Sequence, residues 1–235
     1  MRIALTPTMA RRAPAQKRAT TDIDKLHRRQ DILVAAEAQL RQVAFENFSM
    51  EVLARDLGLA RGTLYRYFET RETLLLGLYQ QQRTSWCAAM LADVQPGLGD
   101  AAFVDSYLAQ ARADPLFLKL QARLESVIEH NVPPAQLVDA KRSMQQELDR
   151  LVAHLARCLN LPEATTRHIV IGFAALLLGA SQLEASPKLD MATLPDDIRA
   201  SLTSISADDI FRKNALLILD STRRSVQNDE KQPNR

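Results

Sequence analysis

From about Asp24 onward the apolar residues of this chain recur at spacings of three and four, and no stretch alternates convincingly with period two. Ile32, Leu33, Ala36, Leu40 and Val43 or Ala44 fall on one stripe, the pattern of a helix facing a core. With Pro, Gly and Asn punctuating the pattern, this periodicity restricts the chain to an all-α fold. The spacing predicts helices over about 24–44, 49–56, 60–67, 70–93, 101–113, 115–130, 134–159, 163–185 and 207–225, with a short turn near 196–202. Asp22 or Asp24 is expected to cap the first. Residues 1–21 have no periodicity and read as a disordered arm.

Composition narrows the class. A length of 235 residues, 46% of them hydrophobic, suffices for one large or two small domains. Two cysteines, Cys87 and Cys158, make no disulfide framework and suit a reducing compartment. The basic start of the chain lacks the continuous apolar core of a signal peptide. The most apolar run, Ile169 to Leu183, is fifteen uncharged residues, short of the ~20 that span a bilayer. It is expected to be a buried helix of a cytoplasmic protein with no membrane partner.

Charge is unevenly placed. Residues 1–72 hold 13 Lys and Arg against 9 Asp and Glu, whereas residues 73–235 hold 17 against 19. A basic N-terminal third on a near-neutral body points to nucleic acid at that end.

The informative stretch is Ser49 to Phe68, SMEVLARDLGLARGTLYRYF. Two short helices about a glycine turn make a helix-turn-helix. Ser49 caps the first helix, Ala54 is small where the helices cross, and Gly58 supplies the left-handed turn. Leu53, Leu59 and Leu64 form a small core that Phe45, Phe48 and the preceding helix must close. Leu64 and Phe68 lie four apart and face inward. Arg61, Gly62, Thr63, Tyr65 and Arg66 lie on the other side or its flanks. The second helix of such a unit enters the major groove. Arg61 suits guanine O6 and N7, Thr63 a base or a thymine methyl, and Gly62 permits close backbone approach. Tyr65, Arg66, Tyr67 and Arg71 suit phosphates, and Ser49 offers a helix N-terminus.

These residues carry a resemblance. Leu57-Gly58-Leu59-Ala60-Arg61-Gly62-Thr63-Leu64-Tyr65-Arg66-Tyr67-Phe68, followed by Arg71-Glu72-Thr73-Leu74-Leu75, closely resembles the N-terminal domain of TetR-family transcriptional regulators. The resemblance runs from about Arg28 to Leu75. It implies an all-helical homodimer with an N-terminal DNA-binding domain and a larger C-terminal domain for ligand and dimer contacts. It also implies a repressor that leaves a double-stranded, palindromic operator when a small-molecule effector binds. Ala60 departs from the family pattern, where a serine or threonine often caps the recognition helix; the lost cap costs about 1 kcal/mol. Arg71 replaces a common lysine. Met50 and Glu51 occupy positions that touch DNA in several members, but a carboxylate does not suit a phosphate, and both are left out of the contact set.

The expected organisation is a basic arm over 1–23, a three-helix helix-turn-helix domain over 24–72 and a helical ligand-binding and dimerisation domain over 73–235. Gly172, Ala175 and Gly179, at spacings of three and four, give one helix face a smooth groove for a partner helix. Phe211 and Leu216 belong to the last long helix, which in the family pairs with its mate. Trp86 and Phe117 are the candidate ligand-pocket residues, with Phe103, Tyr107 and Phe173 as further large residues that suit either cavity or core. His154 and Cys158 are four apart, but no third metal ligand is evident nearby. No Ser-His-Asp set, paired carboxylates or phosphate-cradling glycine loop stands out, so neither catalysis nor a cofactor is expected. The rival reading is a non-specific architectural DNA-binding protein, using the same charges without sequence preference.

Overall fold

The computed structural model describes residues 14–184, 191–203 and 206–231. All regular structure among them is helical. The chain divides into two compact units, parting between Arg71 and Glu72.

The first unit holds α1 (Pro14–Gln42), α2 (Met50–Asp56) and α3 (Arg61–Tyr67), with a 3-10 turn over Phe45–Asn47. The expected arm is corrected here. α1 begins at Pro14, so Asp22 and Asp24 lie inside the helix rather than capping it; residues 1–13 lie outside the described residues. Proline is favoured at the first helical position, and Ala15-Gln16-Lys17-Arg18-Ala19 are good helix formers. They carry no apolar stripe, so periodicity could not reveal them.

The core of this unit is small. α1 contributes Ile32, Leu33, Ala36 and Leu40, α2 contributes Leu53 and Ala54, and Phe48, Leu64 and Phe68 close it; all are buried. Each large side chain contributes roughly 1.5–3 kcal/mol by leaving water. Leu59 is only half-buried. The turn from α2 to α3 is a Schellman motif. Gly58 takes φ 65°, its N–H donates to the Arg55 carbonyl, and the Leu59 N–H donates to the Ala54 carbonyl at 2.8 Å. The left-handed conformation satisfies two carbonyls that a helix end leaves unpaired.

The second unit takes α4 (Arg71–Asp93) from Glu72 onward, with Arg71 left in the first unit, and α5 (Asp100–Arg112), α6 (Pro115–Gln121), α7 (Pro134–Leu159), α8 (Glu163–Glu184), α9 (Asp196–Thr203) and α10 (Ala207–Lys231). α8 packs on α7 and α10, and α10 also packs on α5. Phe103, Tyr107, Phe173 and Phe211 interlock at the centre, with Tyr107 and Phe173 each 5.4–5.6 Å from Phe211, ring centre to ring centre. Arg223 of α10 grips Asp100 of α5 through two guanidinium nitrogens. Arg212–Asp105 and Arg112–Asp208 also join these two helices.

The single helix expected over 115–130 is interrupted. Asp114 caps α6 by accepting from the Leu116 N–H at 2.9 Å. Past Arg123 (φ −110°, ψ 0°) the chain forms a π-helical turn, Leu124–Ile128, and then a 3-10 turn, Glu129–Asn131. The Val127 and Ile128 N–H groups both donate to the Arg123 carbonyl at 3.0 Å. Leu124 and Ile128, four residues apart, are both buried, as on an ordinary helix face, so the apolar spacing carries no sign of the wider turn.

α8 is the expected apolar helix, but only one side of it is buried. Ile169, Val170, Phe173, Leu177 and Ala180 face the core. Ile171, Ala175, Gly179 and Leu183 are exposed. By length and hydropathy Glu163–Leu183 could cross a membrane, and a third of its most apolar stretch is buried here.

Candidate functional site

α3 presents the residues that the sequence assigns to DNA. Leu64 and Phe68 are fully buried, which fixes the rotation of the helix. Arg61, Gly62 and Arg66 are exposed on its other side, and Thr63, Tyr65 and Tyr67 are half-exposed. A Cβ at Gly62 would have nothing within 4 Å, so nothing inside the chain requires glycine there. The Ala60 side chain makes no cap, as its chemistry demands; the Thr63 N–H donates to the Ala60 carbonyl instead, at 2.8 Å. Ser49 caps α2, accepting from the Val52 N–H at 3.4 Å.

Arg61 is paired within the unit. Its Nη1 lies 2.9 Å from Glu51 Oε1, both side chains being about two-thirds exposed, and its guanidinium carbon sits 5.5 Å from the Tyr65 ring centre. Glu51 thus occupies the donors that Arg61 would offer to a base. An exposed pair of this kind contributes at most ~1 kcal/mol. Replacing Glu51 by Gln is therefore expected to tighten operator binding by up to about fivefold, and binding to a random duplex by less. Fluorescence anisotropy on both duplexes checks this, and unchanged or weaker operator binding would show that the pair does not compete with DNA.

Arg71, expected on phosphate, also has a partner within the chain: its Nη2 donates to the Phe45 carbonyl, and its guanidinium lies 5.0 and 5.9 Å from the ring centres of Phe45 and Phe48. It ties the 3-10 turn to the start of α4. Charge-assisted hydrogen bonds contribute ~1.5–3 kcal/mol, so Arg71→Ala should lower unfolding stability by about that amount while leaving the salt dependence of DNA binding unchanged. Chemical denaturation and salt titrations separate the two. A salt slope lowered by about one unit, with stability intact, would restore the phosphate role.

α1 supplies positive charge that sequence reasoning passed over. Lys25, Leu26 and Arg29 line, with Arg66 and Tyr67, a cleft of about 480 Å³. Arg29 is placed by Phe68, its guanidinium 4.4 Å from the ring centre, and burial lowers its pKa from the usual arginine value. The available signal was the i, i+4 spacing of Lys25 and Arg29, ahead of the apolar stripe of α1.

In the second unit Trp86 and Phe117 lie together, 5.8 Å apart and nearly parallel. Both line a cavity of about 160 Å³ with Tyr79, Tyr107 and Arg83. Tyr79 stacks on the other neighbour of this set, 6.0 Å from Phe117. Burial pushes the Tyr79 phenol up to about 12, outweighing the opposite pull of Arg83, and pushes the Cys87 thiol up to about 11. Both are neutral at physiological pH, and Cys87 is no reactive thiolate. Phe103 and Phe173, by contrast, are fully buried in the core.

Comparison with known proteins now bears on these two units. Residues 32–78 match the family described as bacterial regulatory proteins, tetR family. Residues 80–220 match the tetracyclin repressor-like C-terminal domain. The chain belongs to the TetR family. Among solved structures, a protein described as a possible TetR family transcriptional regulator from Streptomyces coelicolor A3(2) is 18% identical, with a TM-score of 0.54 over 84% of this chain and 99% of that one. A second, described as a candidate regulatory protein, is also 18% identical, with a TM-score of 0.52 over 83% of this chain and 98% of that one. At that identity the likeness is one of fold. The family match makes the chain a DNA-binding transcriptional regulator.

Two other expectations find their place in this TetR-family chain. Phe211, assigned to the dimer interface, is fully buried among its own subunit's aromatic rings and cannot face a partner. Leu216 and its neighbour Leu217 are exposed on α10. His154 Nε2 lies 2.7 Å from the Val94 carbonyl, and the Cys158 thiol reaches the same oxygen at 3.5 Å, so the pair fastens α7 to the end of α4.

Proposed function

We propose that this regulator is a homodimeric repressor that holds a palindromic operator and releases it when a small molecule occupies the second unit. The observation that carries the reading is the alternation along α3, with Leu64 and Phe68 locked inward and Arg61, Gly62, Thr63, Tyr65 and Arg66 turned outward. Arg61 and Thr63 read base edges, and Gly62 admits the DNA backbone closely. Arg66 and Tyr67, joined by Lys25 and Arg29, hold phosphates and fix the register. Ser49 lies at the flank of this contact. The exposed faces of α8 and α10, with Gly172, Ala175, Gly179 and Leu216, meet the same faces of a second copy. Two recognition helices then stand about one DNA turn apart, ~34–36 Å. Release follows from population shift: an effector weakens operator binding by its differential affinity for the two states and by no more.

Fragmented genomic DNA from the source organism, passed over the immobilised protein at physiological salt, tests the reading. A repressor retains a few discrete fragments, and a reporter placed behind one of them is silenced when the protein is expressed. Broad retention of all fragments would favour an architectural protein, which spreads over DNA through phosphate contacts.

A further inference from the structure

A cleft in the second unit is built differently from the aromatic cavity. It measures about 330 Å³ and lies among the end of α5, α6 and the C-terminal half of α8. That volume falls at the lower end of small-molecule sites, about 300–1,000 Å³. Leu118 forms a wall that the cleft shares with the aromatic cavity. The floor is apolar, made of Pro115, Leu118, Ala122 and Leu178. Leu118 is buried, and Ala122 and Leu178 are half-buried. Three cations, Arg112, Lys119 and Arg123, complete the lining, and no carboxylate joins them among the described residues.

The cations differ in what already holds them. Arg112 Nη2 lies 2.8 Å from Asp208. A guanidinium carries five donors, so one ion pair leaves others for a second acceptor, and the same holds for Arg123. Asp114, next to the lining, turns its carboxylate to the N-terminus of α6, accepting from the Leu116 N–H at 2.9 Å. Lys119 is exposed. A lysine at such an edge lays its stem along apolar surface and keeps its ammonium in water. Gln182 is exposed at the edge and has an amide to donate, whereas the Ser181 hydroxyl is buried out of the solvent's reach and takes no part.

An apolar floor with a cationic edge discriminates among ligands. A cation meets like charge, a small inorganic anion leaves the floor wet, and a neutral apolar compound leaves the edge unused. We propose that this cleft binds an amphipathic carboxylate, its apolar tail on Leu118, Ala122 and Leu178 and its carboxylate at Lys119 and Arg123. The site is defined by that binding, whether or not occupancy loosens DNA.

Calorimetry on the full chain tests this with four probes: octanoate, octanol, octylammonium and butyrate. Octanoate is expected to bind tightest. Octanol keeps the chain without the charge and should bind about tenfold more weakly. Octylammonium reverses the charge and should bind no better than octanol. Butyrate keeps the charge but loses four methylenes, and should fall by up to about 10²-fold. Lys119→Gln should weaken octanoate about three- to fivefold and leave octanol unchanged. Lys119→Glu reverses the charge at the edge and should weaken octanoate by about tenfold or more. Both replace an exposed side chain, so circular dichroism should show the helices intact. Ala122→Leu narrows the floor without altering charge and should weaken octanoate and octanol alike. Ala174→Leu fills the aromatic cavity instead and should leave octanoate unchanged. Octanol or octylammonium binding as tightly as octanoate overturns the proposal. So does octanoate binding that Lys119→Glu leaves intact or that Ala174→Leu abolishes, and so does a wild-type chain that binds no octanoate.

Discussion

Gly172→Leu and Gly179→Leu should each convert the proposed dimer to monomers and reduce operator affinity by about 10²–10⁴. Both glycines lie on the outward side of α8, and a Cβ at either would have nothing within 4 Å in the chain. The subunit therefore has no internal objection to a side chain there. The helix should even gain, because leucine exceeds glycine in helix propensity by ~1 kcal/mol or slightly less. Across a two-fold interface each substitution occurs twice. Overpacking costs ~1–3 kcal/mol per site, so the dimer loses about twice that. DNA affinity then falls with the recognition helix untouched, because a lone unit engages one half-site and forfeits the effective concentration of the second. Sedimentation velocity reads the first effect and circular dichroism checks that the helices persist. Mutants that remain dimeric at low micromolar concentration would show that this face is not the interface.

Arg61→Ala carries the next largest effect, and it is an effect on discrimination. Arg61 is exposed at the tip of α3, and its partner within the chain is a carboxylate that DNA can displace. A bidentate arginine–guanine contact separates right from wrong base by ~1–3 kcal/mol. The variant should lose roughly 5- to 150-fold on its operator and far less on random duplex. Because the pair with Glu51 lies on the surface, the fold should be unaffected. Equal losses on both duplexes would reassign Arg61 to the phosphates.

The sequence makes most of the helix boundaries legible because Pro115, Pro134, Gly58 and Ser49 act through local backbone chemistry that needs no partner. α7 and the helix-turn-helix are of this kind. The start of α1 was hidden because Pro14 to Ala19 encode helix by propensity alone, without an apolar stripe. The π-helical turn is not legible because Leu124 and Ile128 keep the spacing of four that an ordinary helix also buries. Phe211 has chemistry that suits a surface contact, and only tertiary packing shows that Tyr107 and Phe173 have taken it. The bond of Arg71 to the Phe45 carbonyl is likewise visible only in the packing. Lys25 and Arg29 were missed for the converse reason, since a basic helix face is ordinary until α3 is laid beside it. The aromatic candidates Trp86 and Phe117 were separable from the core residues Phe103 and Phe173 only once the cavity could be traced.

The central claim is that two copies of α3 read one palindromic sequence. The most direct measurement is selection of bound duplexes from a random pool, followed by the mass of the protein on the enriched DNA. A palindromic motif should emerge, with half-sites centred about one helical turn apart and two chains on each duplex. Enrichment of no motif, or of a single half-site carrying one chain, would contradict it.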